Sequence, residues 1–233
     1  MPKVSSIKDV RSRTPHAACH HVPAAAFVGQ PGSSQWRICE WVQPGIRVLD
    51  VGCAAGSVAQ YLGGQKNCRV VGIERDPLLA RKARAHCERV VVGDVESGNL
   101  LSKVKGAFGA IIFADVLEHL RSPEAVLAAA KTLLEPDGEV FVSVPNVANW
   151  RVRLRLLLGR FEYKDTGILD RTHLRFFTRH TAVKLIHSCG YQVVGMKTTS
   201  GRGKFIPTLL SALAPGWFAY QFIFKAVPCR SRR

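Results

Sequence analysis

The sequence predicts an α/β fold in which a mostly parallel sheet is covered by helices on both faces. Short apolar, β-branched runs recur at 46–51 (IRVLDV), 69–73 (RVVGI), 89–92 (RVVV), 110–113 (AIIF) and 139–144 (EVFVSV). Helix-like segments at 56–63, 77–87 and 123–134 separate them. Strands this apolar are buried on both faces, which alternating strands and crossover helices achieve in a parallel sheet. The 233 residues, 47% of them hydrophobic, suffice for one sizeable core.

Residues 1–35 mix Pro, Ser, His and basic residues without periodicity and read as a flexible basic arm. His16, Cys19, His20 and His21 cluster there, but no matching ligand pair lies nearby, so a mobile tail is the expectation. A short helix follows near 36–42, opening a single domain over 36–228. The helix at 123 has a capping signature in Ser122-Pro123-Glu124 and closes on a turn, Glu135-Pro136-Asp137-Gly138. After Pro145 the rhythm changes. A basic amphipathic helix is expected over 147–158, with Trp150, Leu154, Leu157 and Leu158 at helical spacing on a face that packs on the core or lines a pocket. It begins a cap segment over 147–178, irregular from 161 to 177. A helix at 179–188, strands near 191–199 and 217–226, and a basic tail at 229–233 complete the chain.

The formal net charge is +16, from 33 Lys+Arg against 17 Asp+Glu. Such a surface attracts nucleic acid, a phospholipid headgroup layer or a phosphate-bearing substrate, or else serves solubility alone. The seven cysteines are scattered, odd in number and never in a C-x-x-C pair, which argues against a disulfide framework and a zinc ribbon and suits a reducing cytoplasm. The N-terminus has no apolar signal core, so the expected location is cytoplasmic, with the inner face of the membrane as a peripheral alternative. Phe205 to Phe224 carries no charge and is long enough to cross a bilayer, but Pro215-Gly216 splits it and its second half reads as a strand.

The stretch 48–59, VLDVGCAAGSVA, takes an apolar strand into a glycine turn and a helix. A dinucleotide site reads G-x-G-x-x-G; aligned on Gly52, this chain has Ala54 and Ser57 at the second and third glycine positions. It does have Asp50 two residues before Gly52 and Gly56 four after. This resembles the acidic-x-Gly-x-Gly-x-Gly motif of class I S-adenosylmethionine (SAM)-dependent methyltransferases, with Ala54 as the middle glycine. Acids also end the next three strands: Glu74, 22 residues after Gly52, then Asp94 and Asp115. An acid at the end of the second strand can accept hydrogen bonds from both ribose hydroxyls.

The resemblance covers about 35–228 and implies a seven-stranded, Rossmann-like sheet with its last strand antiparallel. It further implies that SAM is held by Asp50, Gly52, Cys53, Ala54, Gly56, Glu74, Arg75, Asp94, Val95, Ala114 and Asp115. Asp94 would receive the adenine amino group and Val95 would pack on its face. The segment 144–178 is similar to that of bacterial methyltransferases near the quinone O-methyltransferases and the enzymes of surface-glycan gene clusters.

A hydroxyl acceptor needs a base, and His119 and His173 are the candidates. Asp115, Glu118, His119 and His173 also resemble a Glu-x-x-Glu-His plus distant His set that holds a divalent metal in some relatives; on a helix Asp115 would share a face with Glu118 or His119. Against the metal, Asp is one carbon shorter than Glu, and metal-free relatives keep the LEHL sequence for packing. Trp150, Arg171 and Arg175 are the candidate acceptor contacts. The expected acceptor is a small molecule, a quinone lipid or a glycan. Rivals are an RNA 2′-O-methyltransferase, which would lack an obvious RNA-binding module, and a non-catalytic SAM-binding regulatory partner.

Overall fold

The computed structural model describes residues 31–98, 100–200 and 213–229. The His16–His21 cluster, residues 205–212 of the uncharged stretch and residues 230–233 lie outside them. The sheet is built from β1 (Arg47–Val51), β2 (Arg69–Glu74), β3 (Arg89–Val92), β4 (Phe108–Ala114), β5 (Leu134–Pro145), β6 (Tyr191–Thr199) and β7 (Gln221–Pro228). Their order is β3-β2-β1-β4-β5-β7-β6, with β7 antiparallel to both neighbours and the other pairings parallel.

Successive side chains of a strand point to opposite faces, and here each face meets its own helices. Leu49, Ile111, Phe113, Val140 and Val142 pack against Val126, Leu127 and Ala130 of α4 (Pro123–Ala130) and Ala182, Leu185 and Ile186 of α6 (Arg179–Ser188). Their strand neighbours Val48, Ala110, Ile112 and Phe141 pack against Ile38 and Cys39 of α1 (Ser34–Trp41) and Val58, Ala59 and Leu62 of α2 (Ser57–Lys66). The small side chains of α3 (Pro77–Ala83), Ala80 and Ala83, close on Cys53 and Val90. No helix among the described residues is long and apolar enough to cross a membrane.

The chain runs outward from β1 through β2 to β3, then returns to place β4 on the other side of β1. That reversal opens a crevice beyond the carboxyl ends of β1 and β4, the usual place for a ligand in an open α/β sheet.

Several local expectations are corrected. The first helix begins at Ser34, inside the expected arm, because Ser33 caps it by accepting from the Trp36 N–H at 3.2 Å. The helices expected over 77–87 and 123–134 stop at Ala83 and Ala130 and run on as tighter turns. Ser122 does not cap α4 with its hydroxyl; its N–H donates to Glu96 at 2.7 Å. The turn at 135–138 is absorbed into β5 as an irregularity, where the register with β4 shifts between Phe108 and Ala110. The last strand starts at Gln221 because Pro215–Phe218 coil into a short helix, α7.

The largest correction concerns α5 (Trp150–Leu157). Asn149 fixes its first turn, accepting from the Arg151 N–H and donating to the Ala219 carbonyl at 2.9 Å. Only Val152 is buried, against Ile168 and Leu169, while Leu154, Leu157 and Leu158 are 47%, 83% and 64% exposed. Helical spacing identifies residues that share a face, not what the face meets.

Gly72 in the middle of β2 shows how tightly the glycine loop sits on the sheet. A Cβ there would lie 2.5 Å from Cys53 Sγ and 3.3 Å from Cys87 Sγ. Gly72→Ala is expected to destabilise the protein by about 1–3 kcal/mol, with Cys53→Ala in the same chain recovering part of the loss. Thermal denaturation of the single and double variants checks this.

Candidate functional site

Asp50 and Glu74 end β1 and β2 and are nearly inaccessible, 2% and 8% exposed. Between β1 and α2 the backbone adopts left-handed conformations at Gly52 (φ +74°), Ala54 (φ +48°) and Gly56 (φ +84°). A Cβ on Gly52 would meet Val116 Cγ2 at 2.7 Å, and one on Gly56 would meet the α3 backbone at Ala83 Cα at 3.0 Å. Ala54 is the residue that departs from the glycine pattern, and it nonetheless takes the conformation glycine favours. Glu74 holds it there: Oε2 accepts from the Ala54 N–H at 2.9 Å, while Oε1 accepts from the Asp76 N–H at 2.9 Å.

Asp50 Oδ2 is buried with no hydrogen-bond partner among the described residues. Desolvation, reinforced by the nearby Glu74 charge, pushes the Asp50 carboxyl up to about 7. An unpartnered buried carboxylate oxygen is costly unless a cationic or donor group joins it. The remaining crevice candidates are more open. Asp94 is exposed, with Oδ1 accepting from the Glu96 N–H at 2.9 Å; Arg75 is exposed; Val95 and Ala114 are half-buried against the core. Cys53 is buried beneath the loop.

Asp115 is fully engaged. Its Oδ1 accepts from Ser143 Oγ at 2.6 Å and Gln221 Nε2 at 3.0 Å, and its Oδ2 from Ser34 Oγ at 3.0 Å. Its own N–H donates to Ser143 Oγ, and its φ is +57°. The residues that fix it come from β5, β7 and α1, and sequence reasoning missed all three. Ser143 left a trace, a polar break in the run VFVSV; Ser34 and Gln221 left none.

Beyond Asp115 the chain makes a single 3₁₀ turn, Leu117–His119, and not the α-helix on which Asp115 would share a face with Glu118 or His119. The left-handed Asp115 prevents a regular helical start, and the turn brings Glu118 and His119 to His173. One ligand atom from each of these three lies within 4.8 Å of the others; Asp115 is outside the group. Both Glu118 carboxylate oxygens are buried without a partner among the described residues. Burial, then the nearby Asp115, raises the Glu118 carboxyl well above the usual range.

The imidazoles stand edge to face, 4.9 Å apart. His119 Nδ1 lies 3.2 Å from the Thr172 carbonyl and His173 Nδ1 3.2 Å from the Ile168 carbonyl. Donation to those carbonyls places the proton on Nδ1 of each neutral ring and leaves Nε2 as an acceptor. Burial lowers both pKa values, so both rings are neutral near pH 7. Thr172 is itself anchored by donating to Asp170 at 2.7 Å, two positioning residues the sequence reading had passed over.

The side chains of the acceptor candidates are engaged in local contacts. Trp150 is half-buried at the start of α5, with Arg151 stacked on it. Arg171 pairs with Asp165 at 2.7 Å on the surface, and Arg175 donates to the Arg121 carbonyl.

A family model described as a methyltransferase domain matches residues 15–195. The chain belongs to this methyltransferase family. It is 32% identical over 165 residues to a ubiquinone biosynthesis O-methyltransferase of Chromobacterium violaceum, a match covering 68% of each chain. A ubiquinone biosynthesis O-methyltransferase of Xylella fastidiosa (strain 9a5c) is 32% identical over 163 residues, covering 60% of this chain and 62% of the relative. The solved magnesium protoporphyrin IX methyltransferase of Synechocystis PCC 6803, with bound SAH, has a TM-score of 0.58 at 18% identity, over 84% of this chain and 80% of that one. The methyltransferase therefore shares the sheet architecture of that solved structure and is a SAM-dependent enzyme.

Proposed function

We propose that the methyltransferase methylates a hydroxyl of a small aromatic acceptor of the quinol type, with His119 as the base. The observation that carries this reading is the pair of neutral histidines whose Nε2 atoms are left free by carbonyl contacts at Nδ1. The names of its relatives support a quinone precursor as the acceptor.

The crevice suits SAM. Asp50 Oδ2 offers its ammonium the partner the protein does not provide, and the loop 52–56 brings backbone against its methionine part. Glu74 retains lone pairs for the ribose hydroxyls, while Asp94 and Val95 border the adenine place and Arg75, Ala114 and Asp115 its edges. Bound SAM supplies a methyl group already activated on a sulfonium. The protein then aligns the acceptor oxygen in line with that methyl, excludes water, and takes the hydroxyl proton on His119 Nε2.

The unpartnered Glu118 oxygens favour a second reading. Glu118, His119 and His173 form a carboxylate–imidazole donor set that suits a divalent ion, which would lower the pKa of an acceptor hydroxyl. In that case His119 is a ligand and not the base.

The test is methyl transfer from labelled SAM to ortho-dihydroxyphenols bearing a short isoprenyl tail, with Mg²⁺ or with a chelator. An O-methylated product is expected. SAH binding with no turnover on any phenol would overturn the acceptor reading, and transfer to RNA would replace it with the nucleic-acid rival.

A further inference from the structure

We infer that Cys53 and Cys87 form a reversible oxidation site, a thiol pair that closes to a disulfide beneath the glycine loop and weakens its hold on the cofactor. Cys53 lies in that loop and Cys87 in the turn between α3 and β3. Both sulfurs converge on Gly72 of β2, where a Cβ would lie 2.5 Å from one and 3.3 Å from the other. Glycine leaves one side-chain position empty, and the two thiols share it. They hydrogen-bond to each other and pack in one cluster with Ala80, Ala83 and Val90. That bond, then burial and the charges of Asp50 and Glu74, pushes the Cys53 thiol up, so Cys53 keeps its proton and donates to Cys87. Cys53 is buried and Cys87 half-buried, so Cys87 is the member that an oxidant reaches first. Transient disulfides of this kind form even in compartments that keep most thiols reduced.

With hydrogen peroxide as the oxidant the chemistry balances. The Cys87 sulfur attacks one peroxide oxygen and becomes a sulfenic acid, and its proton leaves with the other oxygen as water. The Cys53 sulfur then attacks that of Cys87; the S–S bond forms, and the Cys53 proton leaves with the hydroxyl as a second water. A disulfide holds its sulfurs at about 2.05 Å, closer than two separate thiols approach. The loop has little room to yield. The Cys53 N–H donates to the Ile73 carbonyl at 3.0 Å, and the Cys53 carbonyl accepts from the Gly56 N–H at 2.8 Å. Gly56 already abuts Ala83, whose carbonyl accepts from the Cys87 N–H at 3.0 Å. Drawing the sulfurs together therefore displaces the backbone between Gly52 and Gly56, the stretch set against the methionine part of SAM. This effect on the cofactor rests on the proposed crevice; the thiol pair itself does not.

Peroxide treatment of the full chain, followed by thiol blocking, digestion and mass spectrometry, tests the pair without SAM or acceptor. A peptide linking Cys53 to Cys87 should appear, and dithiothreitol should remove it. By calorimetry the linked chain should bind SAH at least about tenfold more weakly, and reduction should restore the affinity. By linkage, saturating SAH should favour the reduced pair by that same factor in a glutathione buffer. Cys87→Ser, at a position outside the proposed cofactor contacts, should keep the wild-type SAH affinity and lose the response to peroxide. Three results would overturn the inference: no linked peptide, unchanged or tighter SAH binding by the linked chain, or an equal peroxide response in Cys87→Ser. A linked peptide in a chain whose reduced form binds no SAH would leave the oxidation site standing and remove the cofactor crevice.

Discussion

Glu74→Ala should weaken SAH binding by about a hundredfold or more, with thermal stability changing far less. The carboxylate holds Ala54 in its left-handed conformation and caps the turn at Asp76. In the proposed complex it also accepts from the ribose. Hydrogen bonds to a charged group are worth about 1.5–3 kcal/mol each, and about 1.4 kcal/mol is a factor of ten, so losing two accounts for the expected change. Glu74→Gln keeps one oxygen acceptor and should fall between. Calorimetric titration with SAH, with NAD as the control, measures both. Wild-type affinity in Glu74→Ala would mean that the crevice at β1 and β2 is not the cofactor site, and tight NAD binding would reverse the choice of nucleoside made at Gly52.

His119→Ala should lower kcat by about 10²- to 10⁴-fold, the range for losing a positioned base, and leave SAH affinity intact. Because burial lowers the pKa of the ring, its base-competent neutral form persists below pH 6.5, and the acid limb of kcat/KM should lie below that value. A chelator separates the two roles proposed for this group. Activity that survives chelation assigns His119 as the base. Activity that Mg²⁺ or Mn²⁺ restores, and that Glu118→Gln and His173→Ala also lose, assigns all three residues as ligands.

The sheet and the glycine loop were legible because their signals are local. Runs such as VLDV and IIFA can be buried only as interior strands, and the spacing from Gly52 to Glu74 follows from one helix and one strand. The face of α5 was misjudged because periodicity is a property of one helix, and nothing local shows whether a second surface lies opposite. The setting of Asp115 was invisible for a related reason. Its three partners stand 28, 81 and 106 residues away, and chain contacts that remote leave no pattern in a window of sequence. His119 and His173 were found as residue types, but the carbonyl contacts that choose their tautomer arise from the fold of 168–172.

The place of β7 has a consequence for biosynthesis. It leaves the ribosome after β1–β6, yet it lies inside the sheet between β5 and β6 and carries Gln221 to Asp115. Domains begin to fold from the N-terminus while synthesis continues. Until translation passes residue 228, β5 has an open edge, β6 has no partner strand in the sheet, and the acid at the end of β4 lacks one of its three clamps. The entry of one strand, β7, thus closes the edge of β5, gives β6 its partner and completes the clamp on Asp115 in a single step.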